Sequence, residues 1–261
     1  MNQILIKNAR IINEGKIITS DIFIEDEIIQ EISSSISVKS SSVQIIDAEN
    51  NFVIPGVIDD QVHFREPGLT HKADIKSESK AAVAGGVTSF IEMPNTIPQA
   101  TTLVELERKF EIASKDSLAN YSFMFGGTND NLDEILKVDT KNVAGLKLFL
   151  GSSTGNMLVD NLEVLENIFS KTDMLISVHC EDEATIKSNL KEYTDKYGDD
   201  IPMKFHPLIR SRKACYISSS NAIKLAKKTG ARLHVFHLST AEETKLFSNR
   251  KKLKDKKITS E

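Results

Sequence analysis

The chain has 261 residues, of which 40% are hydrophobic and 27% charged, with a formal net charge of −4. That length suits one large α/β domain or a domain plus a small module, and the mild acidity argues against nucleic acid or an anionic membrane surface as a partner. The apolar runs are too short for a membrane span, Met1-Asn2-Gln3 opens without the basic start and apolar run of a signal peptide, and Cys180 and Cys215 alone make no disulfide framework, so a cytoplasmic location is expected.

Residues 2–53 read as a β-rich module. Ile4-Leu5-Ile6, Ile11-Ile12, Ile17-Ile18 and Ile22-Phe23-Ile24 are β-branched runs separated by turn formers such as Asn13-Glu14-Gly15 and Asp26-Glu27. Ser33 to Ser42 is a serine-rich surface loop. Pro55-Gly56 marks a boundary, giving a module over 1–53 and a second domain over 54–261. Beyond it the pattern predicts strands near 57–63, 87–93, 119–125, 145–150, 174–179 and 232–237. Helices are predicted near 73–85, 103–116, 160–171, 182–196, 212–229 and 240–249, two of them stopped by Gly85-Gly86 and Gly230. Such alternation gives a parallel sheet, doubly wound or closed into a barrel. No GxGxxG follows a strand, which counts against a dinucleotide-binding sheet. Candidate polar groups instead sit at the carboxyl ends of several strands, where barrel enzymes place their sites. The expected fold class is therefore α/β, a TIM-like (β/α) barrel with an N-terminal β-rich module. A complete eight-unit barrel takes about 250 residues. Subtracting the first 53 residues from 261 leaves 208. Six strands are predicted by residue 237, and Lys257-Ile258-Thr259-Ser260-Glu261 opens a seventh. The expectation is a barrel of six to seven units, the amino-terminal part of a longer protein.

Four predicted strand ends carry groups able to bind a metal. Gln61 and His63 close the first, Lys147 lies in Gly145 to Leu150, His179 closes Leu175 to Cys180, and His237 closes Leu233 to Leu238. Buried imidazoles and a buried amine are costly unless they are paired or coordinate something. On successive strand ends they suggest one shared site of a metal-dependent hydrolase. Burial lowers a lysine's pKa, and a neutral amine can react with carbon dioxide to give an anionic, two-oxygen carbamate ligand. His234 lies three residues before His237, so strand alternation turns it to the other face and it reads as structural. The same alternation separates Cys180 from His179. His71 and His206 read as solvent or packing residues. Gly126-Gly127-Thr128 and Gly151-Ser152-Ser153-Thr154-Gly155 read as turns, and Lys251 to Lys257 as a solvated basic segment.

As a set, these motifs resemble a known family. Pro55-Gly56-Val57-Ile58-Asp59 through Val62-His63-Phe64-Arg65-Glu66-Pro67-Gly68 is similar to the opening signature of dihydroorotases, here type I-like, in the cyclic-amidohydrolase superfamily. Gly85-Gly86-Val87-Thr88 with Met93-Pro94-Asn95-Thr96 is similar to their second block. Leu146 to Gly151, Val178-His179-Cys180-Glu181 and His237-Leu238-Ser239-Thr240-Ala241-Glu242 are similar to the later blocks. The resemblance implies a TIM-like barrel with a β-sandwich module built from both chain ends. It implies one or two Zn2+ ions held by His63, Lys147, His179 and His237, with Lys147 carbamylated as a bridging ligand. Arg65 and Asn95 would hold the substrate α-carboxylate. The family pattern is His-x-His, and Gln61 stands where the first histidine is expected. An amide oxygen is a weaker zinc ligand than imidazole, so Gln61 would coordinate poorly, act through a water, or not bind.

The implied reaction is the reversible cyclisation of N-carbamoyl-L-aspartate to dihydroorotate in pyrimidine biosynthesis. The family's acid–base aspartate ends the eighth strand and is expected beyond Glu261. No catalytic residue is thus expected within the chain, and the 261-residue polypeptide alone is expected to be nearly inactive. The implied partner is a small-molecule substrate, with a homo-oligomer expected for the full-length protein. Alternatives are an amidohydrolase acting on hydantoins, dihydropyrimidines or allantoin, a non-catalytic scaffold homologue, and a plain α/β domain.

Overall fold

A computed structural model describes residues 2–38, 40, 42–151 and 155–261. The chain divides into two compact units between Val57 and Ile58. Among the described residues, no helix is long and apolar enough to cross a membrane.

The first unit is a small sheet of strands β1 (Gln3–Asn13), β2 (Lys16–Glu25), β3 (Ile28–Ser33), β4 (Gln44–Asp47) and β5 (Phe52–Val53). Its order is β3-β2-β1-β4, with β5 also on β1. β1 and β2 form an antiparallel hairpin in which Asn13 pairs with Lys16. Glu14 and Gly15 make its turn with φ of 46° and 74°, the primed geometry that matches strand twist. Ala9, Ile11 and Ile22 are buried together, whereas the neighbouring pairs Ile17-Ile18, Ile28-Ile29 and Ile45-Ile46, with Ile32, are exposed, so those strand segments are uncovered on both faces. The buried Asp21 carboxylate accepts the amides of Asn8 and Ile36 at 2.9 and 3.0 Å, which ties the serine-rich segment to β1 and β2.

The second unit alternates strands and helices. Its strands are β6 (Val57–Val62), β7 (Val87–Glu92), β8 (Asn120–Gly126), β9 (Gly145–Phe149), β10 (Ile176–His179), β11 (Leu233–Val235) and β12 (Ile258–Ser260). The longer helices are α1 (Ile75–Ala84), α2 (Leu103–Asp116), α4 (Leu162–Lys171), α5 (Glu183–Tyr197) and α7 (Arg212–Thr229). Single turns α3 (Leu132–Ile135), α6 (His206–Ile209) and α8 (Ala241–Thr244) complete the described set. Side chains of Asp74, Thr102, Asn161, Asp182, Ser211 and Thr240 cap α1, α2, α4, α5, α7 and α8 by accepting free first-turn amides.

The sheet runs in sequence order from β6 to β12, and every pairing from β7 to β12 is parallel. In a flat sheet of that order the end strands would lie about 29 Å apart at roughly 4.8 Å per neighbour. Instead Asp60 on β6 and Glu261 after β12 bring ligand atoms within 4.8 Å of each other. The sheet is curled into a part-barrel, in keeping with the expected fold class. Leu146, Leu148, Ile176, Val178, Leu233 and Val235 are buried on one face of β9 to β11 within the main core. The opposite face carries Lys147, Ser177, His234 and Thr259, which are register partners across β9, β10, β11 and β12.

One predicted helix is shorter than expected. The pattern over 240–249 gives only α8, Ala241–Thr244. Leu246 and Phe247 turn back against the main core, and Ser248-Asn249 then favours turns over helix.

Candidate metal centre

His179 and His237 are the closest pair among the proposed ligands. His179 ends β10 and presents Nδ1 to His237 Nε2 at 3.1 Å. Ligands at about 2.0–2.1 Å on one zinc are separated by a similar span. His237 reaches this position because the chain leaves β11 at Val235, and His237 adopts φ of 40°. Glu261 Oε1 accepts the His237 amide at 3.1 Å and holds that turn. Burial, with the charges of His179 and Lys147, pushes His237 down to about 4. The ring is neutral at pH 7 and keeps a lone pair for a metal.

Glu181 orients the pair from behind. It accepts from His179 Nε2 at 2.7 Å, so His179 Nδ1 is left facing His237. Arg210 clamps the same carboxylate, Nε to Oε1 at 2.8 Å and Nη2 to Oε2. Burial pushes the Glu181 carboxyl up, but hydrogen bonds from Arg210 and His179 outweigh it and hold it at about 2. A carboxylate behind a ligating histidine fixes its tautomer and raises its basicity.

Lys147 sits in the middle of β9 and is fully buried. Its Nζ has no hydrogen-bond partner among the described residues. It lies 4.8 Å from the Phe149 ring centre and 4.2 Å from that of Phe236. Phe149 in turn lies against His179, and Phe236 against His237. Burial brings the Lys147 amine down to about 7.

His63 lies just past β6. Its Nδ1 lies 2.8 Å from Asn95 Oδ1. Asn95 has a carbonyl there, so Nδ1–H donates, Nε2 keeps its lone pair, and the Asn95 NH2 remains a free donor. Burial, then the charges of Arg65 and Lys147, lower His63 to about 4. Arg65 has φ of 71°, and its loop is locked to that of Asn95. Ile97 N–H donates to the Pro67 carbonyl at 3.1 Å. Gly68, at φ of 83°, lies so close to the Ile97 carbonyl that no Cβ fits. The two substrate candidates thus ride on one interlocked pair of loops.

Gln61 contributes less. Its backbone amide donates to Asp59 Oδ1 at 3.3 Å, and its side chain makes no hydrogen bond to the described residues. The residues present fit a bound metal. His179 and His237 stand 3.1 Å apart, the buried Lys147 amine has no partner among the described residues, and its charge acts on both His63 and His237.

Two sequence readings need revision or completion. His234 does not face away from the site. It is the register partner of Ser177, which is itself the partner of Lys147, so all three share a face. The expectation assumed that the strand runs unbroken to His237, and it does not. Lys109 was overlooked entirely. It is buried on α2, donates to Glu92 and to the Met93 carbonyl at 2.8 Å, and burial lowers it to about 7. Cys180 does face away from His179, hydrogen-bonded to Ser219 and Ser218, and burial raises its thiol to about 12. Ser152, Ser153 and Thr154 of the second glycine loop lie outside the described residues.

Comparison with known proteins identifies the family. Residues 50–243 match the family model described as dihydro-orotase-like. The chain is 34% identical to the dihydroorotase of Carboxydothermus hydrogenoformans over 98% of its own length and 58% of that protein's. It is 31% identical to the dihydroorotase of Methanosphaera stadtmanae, over 96% of the chain and 57% of that protein. Among solved structures, L-hydantoinase (dihydropyrimidinase) from Arthrobacter aurescens superposes with a TM-score of 0.88 at 29% identity, covering 94% of this chain and 55% of that one. The chain therefore spans a little over half the length of the relatives it matches.

Proposed function

The chain belongs to the dihydro-orotase-like family, and from that premise we propose that its metal centre serves dihydroorotase chemistry, the reversible interconversion of N-carbamoyl-L-aspartate and dihydroorotate. The observation that carries this reading is His179 Nδ1 at 3.1 Å from His237 Nε2, beside the buried, partnerless amine of Lys147. The residues that would hold zinc are His63, Lys147, His179 and His237. When bound, zinc supplies Lewis acidity at a carbonyl oxygen and lowers the pKa of a water.

The chain's own groups do the rest. The Lys147 amine, at about 7, is substantially neutral at physiological pH. It attacks carbon dioxide: an N–C bond forms, one C=O π pair moves to oxygen, and the amine releases a proton, leaving an anionic carbamate. Arg65 offers its two-pronged donor set to the substrate α-carboxylate. The Asn95 NH2 adds a donor, because its carbonyl oxygen is already engaged by His63. Both hold the ring in place for reaction, which converts binding into positional advantage. A cytoplasmic location and a homo-oligomer of the full-length protein belong to the same proposal.

The test offers the zinc-loaded chain dihydroorotate, hydantoin and dihydrouracil side by side. Protection of the fold by dihydroorotate alone is expected, with little ring opening because the acid–base aspartate is expected beyond Glu261. Preference for hydantoin would transfer the site to the hydantoinase branch. Glu181→Ala is expected to weaken zinc binding by about 10–100-fold, the usual effect of losing a carboxylate behind a histidine ligand. Chelator competition measures it, and an unaltered affinity would remove Glu181 from the centre.

A further inference from the structure

Helix α2 sends one charged side chain inward. Lys109 is buried on this helix together with Leu106 and Ala113. Its amine donates to the carboxylate of Glu92, the last residue of β7, and to the Met93 carbonyl at 2.8 Å. The ring of Phe123, the register partner of Glu92 on β8, lies 5.1 Å from the amine. A buried ion pair gains little over apolar side chains of similar volume. Stability alone therefore does not account for this one. What an apolar pair cannot supply is a donor for the Met93 carbonyl.

That carbonyl anchors a short segment that reaches the site. The Met93 amide donates to the Val62 carbonyl at 3.0 Å, next to His63. Pro94 has no N–H to give. Its carbonyl accepts the amides of Thr96 and Ala100 at 2.9 Å, which ties the turn beyond to Pro94 itself. The turn carrying Asn95 thus hangs from the Met93–Pro94 peptide, and Lys109 sets the direction of that peptide. Asn95 Oδ1 in turn meets His63 Nδ1 at 2.8 Å. The Met93 side chain is fully buried and packs with Phe236, whose ring centre lies 4.2 Å from the Lys147 amine.

We propose that Lys109 and Glu92 are a positioning pair: by fixing the Met93 carbonyl they hold Asn95 on His63 and keep the Asn95 NH2 aimed at the substrate carboxylate. Glu92 places the amine, and the amine places the peptide. Both act through Met93 rather than on the substrate. The last step, to the carboxylate, rests on the dihydroorotase reading above, whereas the hold on the His63–Asn95 bond does not.

The test is the Lys109→Met/Glu92→Leu variant of the whole 261-residue chain, whose stability is expected to stay close to that of the unmodified chain. Nitrogen-15 NMR of the histidine rings reads the His63–Asn95 bond without any ligand. The unmodified chain is expected to show a His63 Nδ1 proton protected from exchange with water, and the double variant to lose it. With zinc present, calorimetry is expected to give a dihydroorotate affinity about 10–100-fold lower in the double variant, the effect of losing one hydrogen bond to a charged group. Glu92→Gln is a milder second variant that keeps side-chain size and an acceptor for the amine, and it is expected to show both changes to a smaller degree. A pair that serves stability alone would leave the ring proton and the affinity as they are. The proposal fails if the unmodified chain shows no protected ring proton, or if every variant that folds keeps it. A lost ring proton with unchanged affinity would overturn the step that reaches the substrate. If the unmodified chain itself binds no dihydroorotate, the dihydroorotase reading falls, while the ring proton still decides the role of the pair.

Discussion

Lys109→Met lowers the unfolding free energy of the chain by about 3–5 kcal/mol, read from urea unfolding with the slope unchanged. The reason is the partner it abandons. The Lys109 and Glu92 side chains are each 1% exposed and form an ion pair inside the protein. Lys109 also donates to the Met93 carbonyl at 2.8 Å. Removing the amine leaves a buried carboxylate and a buried carbonyl without partners, and the low-dielectric surroundings make each expensive. Methionine fills nearly the same volume, so a cavity does not explain the loss. Adding Glu92→Leu removes the stranded carboxylate and is expected to recover most of the stability, because apolar replacements of whole buried pairs are often neutral. The consequence reaches the site. The Met93 amide donates to the Val62 carbonyl, next to His63, while its own carbonyl is held by Lys109. Two residues on stands Asn95, the partner of His63. A single variant that unfolds like the unmodified chain would show that the pair contributes nothing.

What could be read from the sequence, and what could not, follows from how far each feature reaches along the chain. The strands at 145–149 and 176–179 were legible because both of their faces are buried, which leaves near-continuous apolar runs. Helix α2 was legible from its apolar stripe at Leu103, Leu106, Phe110 and Ala113. Lys109 lies three residues after Leu106 and four before Ala113, so the same wheel places it on the buried stripe. That was an available sign of a paired lysine, but nothing local names Glu92 as its partner across 17 residues. The clamp of Arg210 on Glu181 spans 29 residues and is equally silent in the sequence. His234 was misassigned by a parity rule that holds only within a continuous strand. β11 ends at Val235, and the φ of 40° at His237 resets the direction of its side chain. Backbone of that kind is stabilised by long-range contacts such as Glu261, which a local pattern does not contain.

Lys147→Met is expected to act in the opposite sense to Lys109→Met, although both lysines are buried and burial lowers both to about 7. Lys147 Nζ has no hydrogen-bond partner among the described residues. An unsatisfied buried amine costs about 1–3 kcal/mol, so its replacement by an apolar chain of similar length is expected to stabilise the metal-free protein by that amount. The same variant is expected to lose zinc affinity by more than about 100-fold, since a direct ligand counts for more than the 10–100-fold of a group behind it. Stability gained with binding lost is the pattern of a residue kept for chemistry rather than for packing. The two lysines are thus told apart by one measurement pair, urea unfolding without metal and chelator competition with it. Carbon dioxide supplies the finer check. Because the carbamate forms from dissolved carbon dioxide, zinc uptake by the unmodified chain is expected to rise with bicarbonate, and that dependence is expected to vanish in Lys147→Met. A bicarbonate response that survives the substitution would place the carbamate on some other amine, and a destabilised Lys147→Met would mean that Nζ is satisfied after all.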